Sequence, residues 1–392
     1  MELSIESIRD EDQETRHDLA RQAFGGRTAY DPDVPTPDPD RMVCAYDGDR
    51  LAGIVVTLGF QMTWAGGTVP CGGISGVVVR PEDRGRGVAR ALLAESFDRM
   101  RRRDEIVSAL YPTTASLYRS VGFEVAGWYQ WRRIPLEAID PRPADGGVAW
   151  ERVEFGDERV RPVHEAMSST MDGWFRADDV WWGRFWHQAS QDGSKNRYAY
   201  VGLRDGAPAA ALVYRYDPSE DRLYELGLDL LAGVDHDAVA AALGFLARNG
   251  TTAGRVETTL PDELLAVHLP QVQRAPATND WPWMFRLVDV AGAVEQRRWP
   301  TSVAGEVHLD VVDPVIAANT GPVVVELAGG KASVSPGGDA RVRIAVQDLA
   351  AIYAGADVNL RHRAGRLPGA TDADLDLLGA ACTARPSMPF FF

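Results

Sequence analysis

The sequence predicts an α/β protein in which one plan of strands and helices occurs twice and is followed by a smaller α+β domain. Three observations carry this. Strand-length apolar runs alternate with amphipathic helical stretches over residues 1–140, and the same order recurs over 148–285. A Pro- and Gly-rich stretch, Asp140 to Gly147, separates the two copies, and residues 286–392 change to short strands. A length of 392 residues suits two or three domains at about 150 residues each.

In the first copy, Leu3 to Ile8 reads as a strand, and Asp10, Glu11, Asp12 and Glu14 suit a helix start because carboxylates complement its dipole. That helix runs to about Phe24, where Gly25 and Gly26 stop it. Four prolines make Tyr30 to Asp40 a loop. Met42–Tyr46 and Leu51–Phe60 form a hairpin turning at Asp47-Gly48-Asp49-Arg50. A strand at Ile74 to Val79, a Gly/Arg turn, a helix from Val88 to Arg103, a strand at Ile106 to Tyr111 and a short helix through Tyr118 complete the copy.

The second copy begins with a strand from Val148. Helical stretches carrying Trp174, Trp181, Trp182 and Trp186 follow, read as core or subunit contact. A hairpin of Arg197–Leu203 and Ala207–Tyr214 turns at Asp205-Gly206; then come a strand (Leu223–Leu231), a helix (His236–Arg248) and a strand (Arg255–Leu260). The third segment, from about Asn279, predicts a helix at Val290–Arg298. Short strands follow at Val307–Val312, Val323–Leu327, Lys331–Val334 and Arg341–Val346, with helices at Leu349–Ala354 and Asp372–Cys382. A curved antiparallel sheet is expected there.

A formal net charge of −15 argues against a general nucleic-acid binder and favours small cationic substrates. Only two of the 41 cations are lysines, Lys195 and Lys331. Eight arginines fall between Arg80 and Arg103, and those from Arg99 to Arg103 read as a solvated helix face. Cys44, Cys71 and Cys382 are scattered, and the seven histidines show no ligand spacing, so neither a disulfide framework nor a metal site is expected. The acidic N-terminus is unlike a secretory signal and no apolar run approaches membrane-spanning length; a cytoplasmic, non-membrane protein is expected.

The chemistry starts at Arg80-Pro-Glu-Asp-Arg-Gly-Arg-Gly-Val-Ala-Arg90, between a strand and a helix. Free amides and a positive dipole end meet there, which makes an anion site. A Walker loop would need Gly-Lys-Ser/Thr, and a dinucleotide fingerprint would need a glycine where Arg90 stands. What remains is Arg84-x-x-Gly87-x-Ala89, which a plain capped helix also satisfies. A second motif, Leu117-Tyr118-Arg119-Ser120-Val121-Gly122-Phe123, lies about thirty residues on.

In that order and spacing the two motifs resemble those of the GCN5-related acetyltransferases. The whole chain resembles the Eis-like ("enhanced intracellular survival") branch: an active acetyltransferase domain (1–140), a second such domain without the cofactor turn (148–285) and a sterol-carrier-protein-like domain (286–392). In the second copy, Gly233-Val-Asp-His236 replaces the turn. Trp281 to Val290 is similar to the family's lead into the third domain.

The resemblance implies acetyl-CoA lying along Val77, Val78 and Val79, with Arg84, Gly85, Arg86, Gly87, Val88, Ala89 and Arg90 around its phosphates and Thr113 nearby. It makes Tyr118 the general acid and the terminal carboxylate of Phe392, carried back by the third domain, the general base. Phe24 and Phe391 match acceptor-lining positions, whereas family acidic and aromatic positions are occupied by Gly26, Gly76 and Phe391. Acids of the Asp31–Asp40 loop are candidates to substitute. The activity implied is N-acetylation of a small cationic amine (aminoglycoside-like, polyamine or lysine side chain), in a homohexamer and without a metal. The competing expectation is a lipid- or acyl-CoA-binding module with a regulatory role.

Overall fold

The computed structural model describes residues 3–25, 29–139, 147–191, 196–220 and 223–392; Gly26 and residues 140–146 of the predicted linker lie outside the described residues. The first copy comprises β1 (Ser4–Ser7), α1 (Gln13–Phe24), β2 (Met42–Asp47), β3 (Arg50–Trp64), β4 (Gly67–Val79), α2 (Val88–Arg102), β5 (Val107–Leu110), α3 (Ala115–Arg119) and β6 (Glu124–Pro135). The second comprises β7 (Ala149–Val153), α4 (Val160–Ser168), β8 (Phe175–Ala177), α5 (Asp179–Gln191), β9 (Arg197–Arg204), β10 (Ala207–Asp217), β11 (Tyr224–Gly233), α6 (His236–Ala247), β12 (Ala253–Thr258), α7 (Asp262–His268) and β13 (Ala277–Leu287). The third holds α8 (Val290–Gln296), β14 (Gly305–Val312), β15 (Gly321–Ala328), β16 (Lys331–Pro336), β17 (Val342–Ala345), α9 (Val346–Tyr353), α10 (Val358–Arg363) and α11 (Asp372–Ala381).

The two copies share one sheet, ordered β1-β2-β3-β4-β5-β13-β6-β12-β11-β10-β9-β7. Each copy lends the other its last strand. β13 runs antiparallel between β5 (Phe285 opposite Ala109) and β6 (Trp281 opposite Tyr129), while β6 pairs β12 (Val256 opposite Ile134). Asn279 to Leu287, expected to open the third segment, is therefore an interior strand of the large sheet. Its Trp283, Met284, Phe285 and Leu287 are buried because both faces of the sheet are covered there.

Three further expectations change. Trp174 to Ala177 leads into the short strand β8, not a helix, and β8 adds to β3 through Phe60 opposite Ala177. The third-domain sheet, β16-β15-β14-β17, is not wholly antiparallel: β17 runs parallel to β14. Arg99 is buried, bonded to Glu95 (2.9 Å) and Ser7 Oγ (2.7 Å), and Arg103 pairs with Asp40 (2.6 Å) and Glu105 (3.1 Å). These two arginines tie α2 to β1 and to the loop before β2. Arg101 and Arg102 alone of that run face solvent.

One buried ion pair joins all three segments. Arg286 on β13 donates to both carboxylate oxygens of Asp313 (2.9 and 2.8 Å), and neither side chain is solvent-exposed. Asp313 also accepts from Val315 N (2.9 Å), Ile316 N (3.0 Å) and Asn319 Nδ2 (2.9 Å), while the guanidinium lies 4.5 Å over the Phe97 ring of α2. Gly122 has φ +94°, and a Cβ there would fall on Arg286 Nη1. The glycine of the second motif is thus fixed both by its backbone conformation and by this arginine. Breaking a buried pair costs about 3–5 kcal/mol. Gly122→Ala is expected to lower the thermal unfolding midpoint by several degrees; an unchanged midpoint would show that Arg286 has room to move.

Candidate active site

β4 and β5 run parallel as far as Ile74 opposite Leu110 and then part. On the other side of β4 the register with β3 slips at Ser75, because Val56 faces Gly76 while Thr57 faces Ile74. Such a bulge turns a strand away from its neighbour. The main chain of Ser75 to Val79 is thereby left with β3 on one side and an open cleft on the other. A cavity of about 310 Å³ fills the fork, lined by Phe24, Ile74, Ser75, Gly76, Val77, Tyr111, Thr113, Tyr118, Trp281, Phe391 and Phe392.

A second hollow, about 330 Å³, lies further along β4 between Val79 and the start of α2, lined by Asp83, Arg84, Gly85, Gly87, Val88, Ala89, Arg90 and Leu117. Gly85 (φ +75°) and Gly87 (φ +79°) turn the chain into α2, and a Cβ at either would meet nothing within 4 Å. No side chain caps the helix start, so its first amides face the hollow. Arg84 is exposed and, among the described residues, bonds back to Val79 O (3.2 Å). Arg86 is held by Asp83 (2.7 Å), which Arg50 also grips (2.7 Å). Arg90 reaches across to Ser120 O (2.8 Å) and Pro314 O (3.0 Å). Free amides, an exposed arginine and open space above two glycines suit a pyrophosphate. Val78, whose side chain is buried, carries the strand between the two hollows.

The corresponding place in the second copy is closed. Asp235 Oδ1 accepts from Ala238 N (2.9 Å) at the start of α6 and pairs with Arg204 (2.6 Å), so the chain's own carboxylate occupies the anion position. β11 and β12 also part, after Gly227 opposite Glu257, and the β10–β11 register skips Asp229. That bulge residue is locked by Arg197 (2.9 Å) and Arg215.

Tyr118, near the end of α3, is buried against Phe123, and desolvation pushes its hydroxyl up to about 12. Phe392 shares its cavity. The rings of Phe60 (4.8 Å), Tyr111 (5.5 Å) and Phe175 (5.6 Å) surround the Phe392 ring. Phe391 stacks on Tyr111 at 4.6 Å, and Phe24 stands at the mouth, 55% exposed. Acids of the Asp31–Asp40 loop do not line the cavity among the described residues. Asp31 pairs with His187, Asp38 accepts from Asp40 N, and Asp40 pairs with Arg103.

The C-terminal tail reaches this place under close control from both copies. Trp174 Nε1 donates to Ser387 Oγ (2.9 Å), Thr259 Oγ1 to Pro389 O (2.8 Å) and Trp181 Nε1 to Phe391 O (3.2 Å). The Tyr111 hydroxyl lies 2.9 and 3.0 Å from Met388 O and Phe390 O. Phe390 enters a box of His164, Trp174, Phe175 and Trp181. Burial and the nearby Arg161 hold His164 down to about 3, so at neutral pH it is a neutral wall of that box. Tyr111, Trp181, Thr259 and Trp281 were not anticipated from sequence. Tyr111 had the clearest signal, an aromatic at the end of the strand where the fork opens.

Tyr111→Phe removes the single O–H that the Met388 and Phe390 carbonyls share, and a lost hydrogen bond to a buried group costs about 1–3 kcal/mol. The variant is expected to have a lower melting midpoint and faster proteolysis within residues 383–392. Unchanged values for both would mean the tail is held by its rings alone.

Comparison with known proteins agrees with this geometry. Residues 4–126 and 173–287 each match an acetyltransferase (GNAT) domain family, and residues 290–390 match a sterol carrier protein domain family. A protein of Streptomyces griseus named as an uncharacterized N-acetyltransferase is 29% identical over 367 residues, covering 88% of this chain and 86% of its own. One from Streptomyces avermitilis is 28% identical over 348 residues, covering 81% and 79%. The fold is shared over the full length of both chains with a GCN5-related N-acetyltransferase from Anabaena variabilis (24% identity, TM-score 0.89) and with Eis1 from Mycobacterium abscessus (19%, 0.82). The cleft along β4, the glycine turn and the domain order place the chain among the GCN5-related N-acetyltransferases, as a tandem pair of acetyltransferase domains followed by a sterol carrier protein domain.

Proposed function

We propose that the chain transfers an acetyl group from acetyl-CoA directly to the primary amine of a small acceptor. The observation that carries this is the meeting of Tyr118 and Phe392 in one cavity at the β4–β5 fork. The main chain of Val77 to Val79 holds the pantetheine arm, and Arg84, Gly85, Gly87, Val88 and Ala89 hold the phosphates; the bound cosubstrate supplies an activated thioester. Arg86 and Arg90 add positive charge beside that turn while keeping their own partners.

The acceptor must lose a proton and the leaving thiolate must gain one. The α-carboxylate of Phe392 takes the amine proton as the nitrogen bonds the acetyl carbon. Tyr118 O–H gives its proton to sulfur as the C–S bond breaks, and the two groups re-equilibrate through water. A terminal carboxyl of pKa ~3.5 is a weak base in water, so it passes the amine proton on through water rather than holding it. Burial keeps Tyr118 in its acid form: a hydroxyl raised to about 12 stays protonated through the working range, with a proton to give to the departing thiolate.

Tyr118→Phe is expected to lower kcat about 100-fold while acetyl-CoA affinity stays within about threefold, as for a lost general acid. The wild-type kcat should show no alkaline fall below about pH 10, since the acid form persists as far as the raised pKa. A limb near pH 8 or unchanged turnover in the variant would remove Tyr118 from the acid role. Appending one glycine after Phe392 displaces the carboxylate and is expected to lower kcat at least about tenfold; full activity would remove it from the base role.

A further inference from the structure

The walls of the acceptor cavity are more selective than a general amine site. Tyr111, Phe391, Phe392 and Trp281 present rings to it, Phe24 stands at its mouth, and Trp281 is fixed by a bond from Nε1 to Pro112 O (3.1 Å). Among the described residues, no Asp or Glu side chain lines it. The neighbouring hollow, about 390 Å³ and reached past Phe391, does hold acids, but each is already matched: Asp229 by Arg197 and Arg215, and Glu257 by Arg133 (3.2 Å). An extended polycation would therefore place its second and third ammonium groups against rings or against satisfied carboxylates. Rings attract an ammonium only weakly, whereas taking it out of water without a carboxylate partner costs more, so such an acceptor is disfavoured.

A ring gains where a charge loses, since offset or edge-to-face ring pairs stabilise it beyond the area they bury. The cavity, about 310 Å³, is at the small end for ligand sites and must also admit the acetyl thioester, so it has room for one ring-sized body. Gly76 leaves that room: a Cβ there would meet nothing within 4 Å.

We propose that the acceptor is a primary monoamine carried by a short linker on a single aromatic or apolar ring, in preference to a polyamine or a polyamino sugar. This rests on the reading of the cavity as an amine-acetylation site. In it the one ammonium-derived nitrogen faces the Phe392 carboxylate, and the ring lies among Tyr111, Phe391 and Trp281.

The test uses the full-length protein with acetyl-CoA and three probes: 2-phenylethylamine, spermidine and kanamycin. The expected kcat/KM for 2-phenylethylamine is at least about tenfold above the other two, and its calorimetric affinity should be tighter in the same order. Equal or better turnover of spermidine or kanamycin overturns the proposal. If none of the three is acetylated, the reaction assigned above has failed, and the calorimetric order still decides the ligand class: tighter 2-phenylethylamine upholds it and tighter spermidine overturns it. Gly76→Asp places a carboxylate on the wall and should move the spermidine to 2-phenylethylamine ratio at least about tenfold toward spermidine. An unchanged ratio in a folded variant overturns the electrostatic basis of the proposal.

Discussion

The pairing of β13 between β5 and β6 is the constraint on which the rest of the molecule depends. A strand from the second copy completes the first, and one from the first completes the second, so neither copy has a finished sheet alone. Main-chain hydrogen bonds across an interior strand fix register to the residue, because a slip by one would turn Trp283 and Phe285 to the opposite face. That register also delivers Trp281 to the cavity and Arg286 to Asp313. One strand therefore sets one wall of the cavity, the turn after Tyr118 and the seat of the third domain.

The same fork-and-bulge device is used twice with opposite results. In the first copy the bulge falls on Ser75, the strands part, and the gap stays open. In the second it falls on Asp229, whose carboxylate draws in two arginines, and the residues Pro389 to Phe391 help to line the remaining space. The same device thus leaves an open cleft in one copy and a groove for the tail in the other. The tail is held there by donors from side chains of both copies, each satisfying a main-chain carbonyl, and by Phe390 in its aromatic box.

Charge is arranged locally in a way that the total conceals. The chain is acidic overall, yet the wall beside Tyr118 is built from rings, and many of its carboxylates are consumed by arginines in pairs that lock elements together. Arg99 and Arg103 illustrate the same economy: in a run of basic residues they look solvated, but the loop before β2 folds over them and their charges become structural.

Most of the order of elements, the repeated plan, the glycine turn into α2 and the Leu-Tyr-x-x-x-Gly-Phe segment were legible in the chain, though not β8 or β13, because each rests on local periodicity, backbone φ or a short spacing. Tertiary structure alone decided that Asn279 to Leu287 is an interior strand, that β17 runs parallel to β14, and that Tyr111, Thr259 and Trp181 hold the tail. It also decided how the arginines around the glycine turn are disposed, leaving Arg84 exposed while Arg86 and Arg90 keep protein partners. The physical reason is range. A turn or a helix cap is fixed by neighbours a few residues away, whereas strand exchange, the buried ion pairs and the walls of the cavity join residues that are distant along the chain, and their geometry exists only once the sheet has closed.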